Sequence, residues 1–62
     1  SQVIEIAISK LPQDLKSAII MREYEGMSYE DISVIMECPV GTVRSRIFRA
    51  RESIDKEVKN IT

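Results

Sequence analysis

The sequence predicts an all-α fold, a small four-helix domain with a C-terminal helix-turn-helix. Three observations predict it. Apolar residues recur at the i, i+3, i+4 spacing of a helix along most of the 62 residues. The two prolines and two glycines fall where such runs meet or begin. No stretch of useful length alternates apolar and polar residues as a half-buried strand does.

Val3, Ile4, Ala7 and Ile8 predict a first helix beginning at Gln2 and ending near residues 9–10. Pro12 breaks it, because proline lacks an amide and disfavours helix at the preceding Leu11. Pro12 also suits the first turn of a second helix, expected over residues 12–24. Leu15, Ala18, Ile19 and Arg22 share one face of that helix. Ile20 and Met21 widen the face, so this helix is expected to be the most buried. Gly26 is the expected left-handed stop. Ser28 reads as the N-cap of a third helix, with Glu30 and Asp31 complementing its positive end and Met27 placed to pack forward on Ile32. Ile32, Ile35 and Met36, with Val34 nearby, supply its apolar side. Residues 37–39 form a turn, and Pro39 or Val40 opens a fourth helix reaching about Val58, with Asn60, Ile61 and Thr62 fraying.

Composition excludes several function classes. One domain, residues 1–62, is the ceiling for this length. Hydrophobic residues make up 44% of the chain, too many for a disordered segment. No apolar run approaches the roughly 20 residues that span a bilayer, so no membrane insertion is expected, and no signal peptide is visible. The single cysteine, Cys38, cannot form an intramolecular disulfide and fits a reducing cytoplasm. Without histidine, neither a zinc site nor another metal or cofactor is expected. No nucleophile–base pair or glycine-rich phosphate loop is present, so an enzyme is not expected.

The fourth helix carries the functional signal. Val43, Ile47, Ala50, Ile54 and Val58 fall on one stripe at about 100° per residue. Ser45, Phe48, Arg49, Glu52 and Lys56 point the other way, flanked by Arg44 and Arg46. Such a helix docks by its back and leaves its front free. Net charge is −1, but it is unevenly spread. Residues 1–38 hold three basic and seven acidic side chains, whereas residues 39–62 hold six basic and three acidic ones. Binding is governed by the local patch, and an acidic remainder weakens indiscriminate attachment to DNA.

A capped helix, a short turn and a second helix with a basic outward face, over about residues 28–58, is the pattern that places its second helix in the major groove. Arginine there matches the O6 and N7 acceptors of guanine, and the Ser45 hydroxyl can donate or accept at a base edge or phosphate. Phe48 is either half-covered by a neighbouring helix or set against a thymine methyl or sugar edge. Gly41 either admits a phosphate or base close to the backbone or eases helix packing. Arg51 is within reach of Glu52 and Asp55 as a surface ion pair.

The stretch LPQDLKSAIIMREYEGMSYEDISVIMECPVGTVRSRIFRARE resembles region 4 of the extracytoplasmic-function sigma factors, most closely the sigma-E type. The resemblance covers about residues 8–57. It implies a bacterial cytoplasmic stress-response factor whose region 2 lies upstream of this chain, which makes the chain an excised C-terminal domain. It implies reading of a GGAAC-type −35 promoter element in double-stranded DNA. Carried over residue by residue, Arg44, Ser45, Phe48 and Arg49 face bases, with Arg49 on a guanine. Arg22, Tyr29, Glu30, Thr42 and Arg46 lie at or near the phosphate backbone, Glu30 through its amide alone, and Arg51 is a weaker candidate. The implied partners are RNA polymerase core, through its β-flap tip in an apolar groove, and an anti-sigma factor covering that groove. Ile4, Ile8, Leu11, Ile20 and Met21, from the first three helices, are its expected lining, unless they simply fill the core.

Two rival readings remain at this level. A response-regulator effector domain has four helices and a helix-turn-helix but dimerises through its last helix, for which Ile54, Val58 and Ile61 can serve as a seam as well as a core. A protein-interaction module uses the basic helix on an acidic partner or anionic surface. With little net charge, one basic helix face and no device for a second copy, the chain reads as a monomer that binds DNA weakly unless a carrier tethers it.

Overall fold

The computed structural model describes residues 2–61, and the side chains of residues 2–60. It contains α1 (Gln2–Ser9), α2 (Gln13–Ile19), a π-helical turn (Ile20–Tyr24) continuing α2, α3 (Tyr29–Met36) and α4 (Val40–Ile61). No strand occurs among the described residues. Every other helix packs on α4, with α2 making the most extensive pairing.

α1 ends where Pro12 dictates. Lys10 and Leu11 donate to the carbonyls of Ala7 and Ile8 at 3.3 and 3.1 Å, tightening the last turn. The Pro12 carbonyl accepts the Lys16 amide at 2.9 Å and starts α2. The second helix covers its expected span, but its last turn is wound differently. The Glu25 amide reaches five residues back to Ile20 at 3.2 Å, and Met27 reaches Met21 at 3.0 Å. A π turn holds more residues than an α turn, so it rotates everything after it out of the 3.6-residue register. Ile20 and Met21, in this turn, are only half-buried. Arg22 leaves the apolar face and donates to the Met27 carbonyl at 2.8 Å. α2 buries Leu15, Ala18 and Ile19, a larger share of its length than α3 or α4, as expected, while the largest fully buried side chains, Ile32, Val43 and Ile47, lie on α3 and α4.

Gly26, at φ 66°, is the left-handed stop. Ser28 caps α3, its Oγ accepting the Asp31 amide at 3.0 Å. Met27 packs on the core behind it. Ile35 is not on the inner face, being 59% exposed, and Val34 is 76% exposed. The buried seam of α3 is Tyr29, Ile32 and Met36. Counted at 100° per residue, Tyr29 and Met36 lie to one side of Ile32 and Ile35 to the other.

The turn into α4 is closed by Glu37 in the left-handed region, φ 54°. The Cys38 amide bonds the Ser33 carbonyl at 3.1 Å, and the Glu37 amide bonds Val34 at 3.3 Å. This is the usual hydrogen-bonded helix stop, built without the glycine that normally occupies it. A side chain there costs on the order of 1 kcal/mol. Glu37→Gly is therefore expected to raise the melting temperature by about 4–8 °C per kcal/mol recovered. An unchanged or lower melting temperature would show that Glu37 is not strained.

α4 starts from the Pro39 carbonyl, which accepts the amides of Thr42 at 3.0 Å and Val43 at 3.2 Å. Val43, Ile47 and Ala50 are fully buried. Ile54 packs on the core cluster, and Val58 is half-buried. The helix continues past the expected end at Val58 through Asn60 and Ile61. Packing of Val58 and an ion pair from Glu57 to Lys10, at 2.7 Å, hold its last turns. The side chain of Ile61 and the predicted fraying of Thr62 lie outside the described residues.

Two further ion pairs join α4 to earlier elements, Arg46 to Asp14 at 3.7 Å and Arg51 to Glu23. Arg51 thus reaches across to the π-helical turn rather than along its own helix to Glu52 or Asp55. Its hydrogen bond to Glu23 holds the guanidinium pKa above its ordinary value.

Candidate nucleic-acid interface

Burial of the Val43–Ile47–Ala50 stripe fixes the rotation of α4 and decides what its front presents. Gly41, Arg44, Ser45, Phe48 and Arg49 line one open depression of about 570 Å³. All five are exposed. Phe48 is 63% exposed and is not tucked under a neighbouring helix. An exposed aromatic ring on a polar face has an apolar surface to offer and nothing within the domain to cover it. Arg49 makes no ion pair among the described residues, so its five donors are available.

Gly41 belongs to this surface and not to a helix contact. A Cβ built on it meets nothing within 4 Å. Its lack of a side chain therefore serves nothing inside the domain, while costing roughly 0.5–1 kcal/mol against alanine in a helix. Gly41→Ala is expected to raise thermal stability and weaken binding to a ligand seated in the depression. A gain in stability with binding unaffected would show that nothing approaches the backbone at this point.

The five residues predicted at the phosphate backbone are placed unequally. Tyr29 opens α3, half-buried, with the Arg22 guanidinium carbon 4.6 Å and that of Arg44 5.7 Å from its ring centre. Glu30 is exposed in the first turn of α3, and Thr42 is half-buried in the first turn of α4. Arg46 departs from expectation. Its Nη1 lies 3.6 Å from Cys38 Sγ and 3.8 Å from Met36 Sδ, while Nε faces Asp14. Only 21% of its side chain is exposed. It links the turn and α3 to the start of α2. The sequence carried no signal for this, because the period places Arg46 on the flank without saying which way a long side chain folds.

The apolar groove also differs from expectation. It lies between α1, the end of the second helix and α4, with a volume of about 330 Å³. Ile4, Ile8 and Ile20 line it together with Ile19, Tyr24 and Ile54, and Glu23, Arg51 and Asp55 form its charged edge. Leu11 is instead buried in the core, and Met21 faces a different surface on which Ile35 also lies. α3 contributes nothing to the groove.

The chain matches the family model for sigma-70, region 4, over residues 1–54. It belongs to the sigma-70 region 4 family. The matched part contains every residue of the outward depression and ends within α4. The domain is 65% identical over 52 residues to the RNA polymerase sigma-H factor of Pseudomonas aeruginosa, covering 84% of this chain and 27% of that protein. It is 60% identical over 58 residues to the ECF RNA polymerase sigma-E factors of Escherichia coli strain K12 and Salmonella typhimurium strain LT2, covering 94% of this chain and 30% of each. The chain thus spans less than a third of the length of these relatives. Region 4 membership sets aside the response-regulator alternative. In this domain Ile54 is occupied by the core and by the groove it shares with α1. No helix is long and apolar enough to cross a membrane, and no cluster of metal-ligating side chains occurs among the described residues.

Proposed function

We propose that this domain binds the −35 element of promoter DNA in the major groove, as the region 4 part of a sigma factor that directs RNA polymerase to stress-response promoters. The observation that carries the proposal is the front of α4. Its back is committed to the core, and Arg44, Ser45, Phe48 and Arg49 share one open face, with the Arg44 guanidinium alone also facing a ring of the fold, that of Tyr29. Arg49 supplies a planar fork for a guanine, Ser45 a hydroxyl for a base edge or phosphate, and Phe48 an apolar surface for a thymine methyl or sugar edges. Arg22, Tyr29, Thr42 and the Glu30 amide are the proposed phosphate-backbone contacts, and the Tyr29 ring, with Arg22 beside it, adjoins this face through Arg44. Arg46 reaches a phosphate only by leaving Asp14.

The apolar groove is the proposed seat of the RNA polymerase β-flap tip, and an anti-sigma factor is the proposed competitor for it. The domain acts as a cytoplasmic, non-enzymatic monomer. Its own affinity for DNA is weak, because one helix face allows few phosphate contacts and the net charge is −1. Attachment to polymerase replaces affinity with effective concentration.

The test is a fluorescence anisotropy titration of the 62-residue chain on a GGAAC-containing −35 duplex and a scrambled duplex, at two salt concentrations. Preference for the matched duplex at both salts, with affinity well short of nanomolar, is expected. Equal affinity for the two duplexes would favour the protein-interaction module. Nanomolar, specific binding by the monomer would overturn the dependence on a carrier.

A further inference from the structure

Tyr29 sits where three elements meet. Its ring packs on the core cluster, so the fold and not a ligand sets its position. Arg22 comes to it from the π-helical turn and Arg44 from the first turns of α4. Both guanidinium groups lie within the roughly 6 Å over which the negative face of an aromatic ring attracts a cation. The hydroxyl end of Tyr29 meets a third guanidinium, that of Arg51, and the ring face is left to Arg22 and Arg44. They are not held equally. Arg22 is also tied to the Met27 carbonyl, whereas Arg44 makes no ion pair among the described residues and lines the outward depression.

We propose that Tyr29 is a positioning residue for DNA recognition, acting through its ring rather than its hydroxyl. The ring holds the Arg44 guanidinium at the edge of the reading face, with Arg22 fixed beside it. This rests on the DNA-binding reading above. A free arginine on an exposed helix samples many rotamers, and binding must select one. A ring anchored in the core narrows that choice before DNA arrives. It also ties the reach of α4's first arginine to the start of α3, so the two helices of the helix-turn-helix present one registered surface.

The experiment compares Tyr29→Phe and Tyr29→Leu in the 62-residue chain, with Tyr29→Met as a second ring-free variant should the leucine variant fail to fold. Melting curves set a temperature at which the variants are folded. In the free chain, NMR reads the ring-current shift on the Arg44 side-chain protons. That shift is expected to persist in Tyr29→Phe and vanish in the ring-free variant. On the −35 duplex, the ring-free variant is expected to bind about fivefold or more weaker than Tyr29→Phe. Repeated in an Arg44→Ala background, that difference should shrink to within about twofold. Equal losses in Tyr29→Phe and the ring-free variant would assign the role to the hydroxyl and overturn the proposal. An undiminished difference in the Arg44→Ala background, or an Arg44 shift that does not respond to the ring, would overturn it too. Failure of the DNA-binding reading is distinguishable, since it appears as a parent chain without preference for the matched duplex, while the free-chain shifts still report where the ring holds Arg44.

Discussion

Ile47→Ala is expected to remove about 2–5 kcal/mol of stability while leaving the base preference of the remaining folded molecules unchanged. Ile47 is 1% exposed and lies midway along the stripe on which the other helices pack. At the usual yield per residue, a domain of this length has about 3–9 kcal/mol in total. The substitution therefore consumes a large share of it, and most of the population should unfold at or below physiological temperature. A urea or thermal melt measures the effect. Phe48→Ala, one residue on and facing outward, is the matched control and should barely move the melt. If the Ile47 variant melts like the parent, the wrong face of α4 has been assigned to the core.

Arg49→Ala is expected to relax discrimination at one guanine of the −35 element by about 1–3 kcal/mol. The side chain is exposed on the third turn of α4, beside Ser45 and Phe48, and no carboxylate among the described residues holds it. The measurement is competition between the matched duplex and a duplex altered at that guanine. Loss of affinity equal for the two would make Arg49 a phosphate contact. In that case the salt dependence of binding should fall by about one phosphate's worth.

Much of this fold was legible because its signals are local. Pro12, Gly26 and the Ser28 cap act within a few residues, and the Val43–Ile47–Ala50 stripe repeats at the helical period. The outward set on α4 followed from the same period, since fixing the buried face fixes the free one. Features that depend on the third dimension were not legible. The π-helical turn shifts register after Ile19 without any residue that announces it. Glu37 takes a left-handed conformation that glycine usually marks. Ile35 was read as core because the contribution of Tyr29 to the α3 seam, which moves that seam to one side, is a tertiary contact. Long charged side chains were the least readable. Arg46 and Arg51 chose Asp14 and Glu23, which are distant in sequence, over the partners or solvent that spacing offered. Ile4, Ile8 and Ile20 of the apolar groove stand out by their spacing, but its α4 wall depends on how α1 crosses α4.

The most direct test of the central claim is an NMR titration of the 62-residue chain with the matched −35 duplex at low salt, following every backbone amide. Shifts should concentrate on residues 41–49 and on the first turn of α3 around Tyr29, with the groove residues Ile4, Ile8 and Ile20 unmoved. Shifts centred on that groove, or spread evenly over the acidic first half of the chain, would contradict the assignment of the outward face of α4 as the DNA-reading surface.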